Sequence, residues 1–148
     1  MNDGWSIVKH YLDIEKRKWV YTLKSDGGKS FLDDCVRKDP QRAKRIANTA
    51  ERIFDRGVSW ALCSDTIKAI KTPKGELHVF EAVVRGTTIR VATYLHRKIP
   101  IYLFEFTTHQ GRKNNLPQRF IDRAIEMSKI AAECVREYDF NEYGEHEK

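Results

Sequence analysis

From Glu76 to Thr108 the chain is committed to three strand-like runs joined by connections too short for anything but hairpins. Glu76–Arg85 and Thr87–His96 meet at Arg85-Gly86-Thr87, and Ile99–Thr108 follows the basic turn His96-Arg97-Lys98. Parallel neighbours need a crossover of a dozen or more residues, so these runs predict an antiparallel meander. Successive side chains alternate in a strand, which puts Arg90, Tyr94 and His96 on one face and Ile89, Val91, Thr93 and Leu95 on the other. A loop carrying His109, Arg112 and Lys113 comes next, then a long helix from about Pro117. An arginine and a tyrosine on a sheet beside a His/Arg/Lys loop suit the handling of phosphate and RNA.

The rest of the 148 residues reads as one domain around that meander. Trp5, Val8 and Leu12 recur at three- and four-residue intervals and predict a short helix over Trp5–Glu15. Trp19-Val20-Tyr21-Thr22-Leu23 is a strand by composition, stopped by Ser25-Asp26-Gly27-Gly28. Phe31–Arg37 is a short helix. Asp39-Pro40 then opens a longer one, with Asp39 as N-cap and proline in the first helical position. Its buried stripe is Ala43, Ile46, Ala47, Ala50, Ile53 and Phe54; Gly57 is its stop, and Arg42, Lys44, Arg45, Glu51, Arg52 and Asp55 fill its outer face. Trp60-Ala61-Leu62 is expected to pack beneath the sheet, and Thr72-Pro73-Lys74-Gly75 is a turn after the lysine-rich stretch of Lys68 and Lys71. The last helix buries a face of Phe120, Ile121, Ala124, Ile125, Ser128, Ala131, Ala132 and Val135. Residues 1–18 read as an N-terminal extension. Tyr138 to Lys148 reads as a frayed end, and 139–148 as an acidic flexible tail.

Charge narrows the partners. The formal net charge is +6, but five acids and a single base lie from Glu137 onward, so residues 1–136 carry 26 of the 27 bases and 16 of the 21 acids, a net +10. A basic body favours nucleic acid, the ribosome or an acidic protein. Cys35, Cys63 and Cys134 are too widely spaced for a zinc site, and no histidine has ligand spacing, so no metal or cofactor is expected. No apolar run is long enough to span a bilayer, and Met1–His10 lacks the basic-then-apolar plan of a signal peptide. The sequence reads as a cytoplasmic protein without a membrane partner.

Several segments together resemble the RelE/ParE toxin superfamily, and within it the phage-derived, HigB-like toxins of type II toxin–antitoxin modules. They are Gly75-Glu76-Leu77-His78-Val79-Phe80-Glu81, Ile89-Arg90-Val91-Ala92-Thr93-Tyr94, Ile101-Tyr102-Leu103-Phe104-Glu105-Phe106, and Pro117 followed by Ile121 and Ala124. The likeness covers about Trp19 to Glu137. Where that branch has Glu-Leu-Arg, this chain has Glu81-Ala82-Val83, with Arg85 two residues on; where it has Lys-Lys soon after Phe, this chain has Thr107-Thr108-His109-Gln110-Gly111-Arg112-Lys113.

The resemblance implies an α+β, RelE-like fold: N-terminal helices packed on a twisted antiparallel sheet of about four strands, plus a C-terminal helix. It implies a toxin that cuts mRNA on the ribosome without a metal, through attack of a ribose 2′-hydroxyl on the adjacent phosphate. Arg90 and His109 would be the catalytic pair, as fixed cation and proton-transfer group, and Arg85, Tyr94, Arg112 and Lys113 would bind RNA or phosphate. The partners would be the ribosome, mRNA and a cognate antitoxin of helix-turn-helix type. A ParE-like toxin that binds DNA gyrase without cleavage, or a phage protein that keeps the scaffold without toxicity, is the alternative. Structural roles compete at each position: Arg90 can simply pair across strands with Glu81, Tyr94 can be sheet packing, and Glu105 can be a buried partner for Arg90.

Overall fold

The computed structural model describes residues 4–13, 15, 17–84, 87–109 and 117–140, with the backbone alone at 83–84 and 107–109. In chain order the elements are β1 (Trp5–Asp13), β2 (Lys18–Ser25), α1 (Phe31–Lys38), α2 (Pro40–Arg56), α3 (Val58–Cys63) and β3 (Ile67–Thr72). Then come β4 (Gly75–Val84), β5 (Thr87–His96), β6 (Ile99–His109) and α4 (Gln118–Cys134). The strands form a six-stranded sheet in the order β1-β2-β6-β5-β4-β3. Neighbours are antiparallel except β2 and β6, which run parallel.

This overturns the RelE-like plan of N-terminal helices on about four antiparallel strands. The sheet is mixed, it has six strands, and its helices cover both faces: α1–α3 pack on one and α4 on the other. Two segments make the difference. Trp5–Asp13 is a strand and not a helix. Its apolar residues fit a period of two as well as one of 3.6, and antiparallel pairing with β2 from Trp5↔Ser25 to Tyr11↔Trp19 decides between them. The lysine-rich stretch is the edge strand β3, paired with β4 from Ile67↔Phe80 to Thr72↔Gly75 around the Pro73-Lys74 turn. Lysines on an edge strand discourage further pairing.

The local chemistry of α2 is as the sequence reads. Ser30 caps α1 by accepting from the Asp33 amide, and Asp39 caps α2 by accepting from the Arg42 amide, with Pro40 in the first turn. Gly57 ends α2 at φ 92°, a left-handed conformation that favours glycine.

Alternation along the strands fills two cores. Against α2 and α3 lie Val20, Ile67, Phe80, Ala82, Ile89, Val91 and Tyr102, meeting Ala43, Ile46, Ala50 and Ile53. Against α4 lie Ile7, Tyr21, Leu23, Leu77, Val79, Ala92, Ile101 and Leu103, meeting Phe120, Ala124, Met127 and Ala131. Each fully buried Leu, Ile or Phe contributes about 1.5–3 kcal/mol relative to exposure, so both helical layers are tied to the sheet. Tyr138 and Phe140 are not frayed. Both rings pack edge-on against Tyr21, at 5.4 and 5.0 Å between centroids.

Between β5 and β6 the register shifts: Ala92 pairs with Phe104 and Thr93 with Tyr102, leaving Leu103 as the extra residue of a β-bulge. Leu103 and Phe104 consequently both reach the α4 core, and the parity of everything after them is reversed.

Candidate functional site

β5 carries the two residues singled out for RNA chemistry whose side chains are described, Arg90 and Tyr94. Arg90 is paired in register with Glu81 of β4 on one side and Phe106 of β6 on the other, so its backbone is fixed from both flanks. Its side chain is only 7% exposed, and Nε donates to Glu81 Oε2 at 3.0 Å. The other carboxylate oxygen of Glu81 meets Lys68 Nζ at 3.1 Å, and Lys68 is 38% exposed. One carboxylate thus bridges a buried guanidinium and a half-exposed ammonium. Glu81, the cross-strand partner weighed for Arg90 from the sequence, is among its partners.

Beside this trio a cavity of about 670 Å³ opens at the β3 edge, lined by Leu62, Asp65, Ile67, Lys68, Ala69, Ile70, Glu81 and Arg90. Its charges are two cations and two acids, so it offers no net attraction to a free anion.

Tyr94 lies on the same face of β5 as Arg90, half-buried against the α4 core. Four residues along a strand place their Cα atoms about 13 Å apart. Farther along, His96 sits under Phe140 at 5.3 Å between rings, and its pKa is pushed down by burial and then by the neighbouring Arg97 charge. His109 ends β6, its backbone opposite Thr87. Arg85, Arg112 and Lys113 lie outside the described residues.

Glu105 is not the partner of Arg90. It pairs with Arg42 of α2 at 3.2 Å, because the bulge at Leu103 turns it to the opposite face, opposite Val91. Among the described residues no group of three or more His, Cys, Asp or Glu could hold a metal ion. Cys35 and Cys134 are buried and Cys63 is exposed. No helix among the described residues is long and apolar enough to cross a membrane.

Sequence reasoning missed a second charged arrangement. Lys18, at the start of β2, reaches both acids of α2, Glu51 at 3.1 Å and Asp55 at 2.8 Å. Those two carboxylates, first by hydrogen bonding, hold the Lys18 pKa above its ordinary value. No local sequence signal links Lys18 to residues 33 and 37 positions later; only the packing of α2 on β2 does.

No family model, curated protein or solved structure matches this chain.

Proposed function

We propose that this protein is the toxin of a type II toxin–antitoxin module, acting on mRNA at the ribosome. The observation that carries the reading is the β4–β5–β6 meander. The residues resembling those toxins, Gly75–Glu81, Ile89–Tyr94 and Ile101–Phe106, lie on three adjacent, paired strands of the sheet. β6 leads directly into the chain segment of His109, Arg112 and Lys113. The reading rests on this meander and on the +10 body, and not on the arrangement of the whole sheet.

In this mechanism His109 moves the proton of the attacking 2′-hydroxyl or of the leaving oxygen, since an imidazole titrates near neutrality. Arg112 and Lys113 hold flanking phosphates. Arg90 is held in a buried pair with Glu81, so its part is to stiffen the strand beneath the substrate unless RNA displaces the carboxylate. An acidic segment of a cognate antitoxin, itself of helix-turn-helix type, would silence the toxin by covering the basic surface.

The pairing of Arg90 with Glu81 also favours a second reading, a toxin that binds its target, such as DNA gyrase, without cutting RNA. Inducible expression with mapping of mRNA 5′ ends separates the two. New 5′ ends that appear with wild type and vanish with His109→Ala support cleavage. Growth arrest with an unchanged 5′-end map supports the binding toxin, and no arrest from the free chain ends the toxin reading.

A further inference from the structure

The outer face of α2 is cationic in a way that α4 is not. α4 carries Arg119, Arg123 and Lys129 against Asp122, Glu126 and Glu133, a balanced solvated surface. α2 carries Arg42, Lys44, Arg45, Arg52 and Arg56 against Glu51 and Asp55. Both of those acids are drawn aside by Lys18, whose side chain is 17% exposed and comes from the strand beneath the helix. Arg42 is likewise occupied, by Glu105 and Asp39. Lys44, Arg45, Arg52 and Arg56 are left exposed, with no ion pair to any described residue.

Helical geometry orders them. At about 100° per residue Arg45, Arg52 and Arg56 fall within about 40° of one line, spanning about 16 Å of the axis, with Gln41 and Asn48 beside that line. Arg56 is held at the far end by the Trp60 ring, 5.1 Å from its guanidinium carbon. A guanidinium resting on an indole keeps its donor fork presented and loses less freedom on binding. A helix face whose two acids share one ammonium from below, leaving arginines and amides in a row, fits a line of phosphates.

We propose that this stripe, Arg45, Arg52 and Arg56 flanked by Gln41 and Asn48, is an RNA-backbone-binding face separate from the β4–β5–β6 meander. It names a second contact for the RNA-directed reading given above and rests on that reading for its biological target. The partner is RNA and not an acidic protein, because planar forks spaced along a helix with amides between them suit phosphate and sugar oxygens. Such contacts are independent of sequence and carry a measurable salt signature.

The test is fluorescence anisotropy of the full chain with a labelled single-stranded RNA of mixed sequence, titrated between about 50 and about 200 mM salt. The triple variant Arg45→Gln, Arg52→Gln, Arg56→Gln is compared with Arg119→Gln, Arg123→Gln, Lys129→Gln on α4. Each lost phosphate contact on a single strand removes about 0.7 from the slope of log K against log salt, so the α2 variant should lose about 2 and bind at least tenfold more weakly at the lowest salt. The α4 variant should stay within about twofold of wild type, as expected of a charge-balanced surface. An α2 variant with the wild-type slope overturns the proposal, as does equal weakening by both variants or equal loss of binding to polyglutamate. Arrest by wild type with no effect of the α2 variant on RNA binding rejects this face and leaves the toxin reading. RNA binding through this face by a chain that arrests nothing does the reverse.

Discussion

Glu81 sits between two cations of unequal exposure, and that inequality decides what each is worth. Arg90 is almost out of water, so removing its carboxylate leaves a buried charge with one partner fewer, whereas Lys68 at 38% exposure simply returns to solvent. Glu81→Gln should therefore cost on the order of 2–3 kcal/mol and Lys68→Ala less than about 1 kcal/mol, both read from urea unfolding midpoints. Equal costs would mean that Arg90 is not held chiefly by Glu81. The sequence showed that Arg90 and Glu81 could be neighbours, because both lie in runs with clear alternation. It did not show that the partner of Glu105 is Arg42, because a single unpaired residue, Leu103, reverses strand parity and no residue type announces a bulge.

At the scale of elements, the legible parts were those fixed by local chemistry. The cap at Asp39, the proline after it and Gly57 bound α2 because each acts on backbone groups a few residues away. The β4–β5–β6 meander was legible because its connections leave one topology. β1 was not, since a nine-residue run with apolar residues at both spacings takes its state from its partner. β3 was hidden by lysines that suit an edge, and the parallel contact of β2 with β6 joins residues some eighty positions apart, Tyr21 with Ile101 and Thr22 with Tyr102. The segment read as an N-terminal extension supplies the outer strand covering Trp19, Tyr21 and Leu23, which are 5%, 1% and 2% exposed. Deleting residues 1–17 should then expose the β2 edge and lower the thermal midpoint by about 10 °C or more, because several kcal/mol of pairing and burial are lost and each costs a few degrees. A dispensable extension would leave the midpoint within about 2 °C. Circular dichroism melts of the two chains decide it.

Across the whole molecule, the two ends of the described chain close the α4 core together. β1 pairs along the edge of β2, and the segment after α4 brings Tyr138 and Phe140 onto Tyr21 of β2 and Phe140 onto His96 of β5. The imidazole is therefore part of a seam, and its protonation state matters to the seam. Burial, and then the adjacent Arg97 charge, hold its folded pKa below the ordinary value of about 6.5. The unfolded chain then binds the proton more readily than the folded one, so the contribution of neutral His96 is complete above about pH 6.5 and is lost as pH falls through the lower folded value. The melting midpoint of wild type should fall as the pH is lowered from about 7 to about 5. His96→Gln, which keeps a polar planar group but cannot gain the charge, should lose less over the same interval. Other carboxylates and histidines titrate equally in both proteins, so the difference between the two curves isolates His96. Curves that stay parallel throughout would place Phe140 and Arg97 away from the imidazole in solution, and with them the seam that joins the end of the chain to β5.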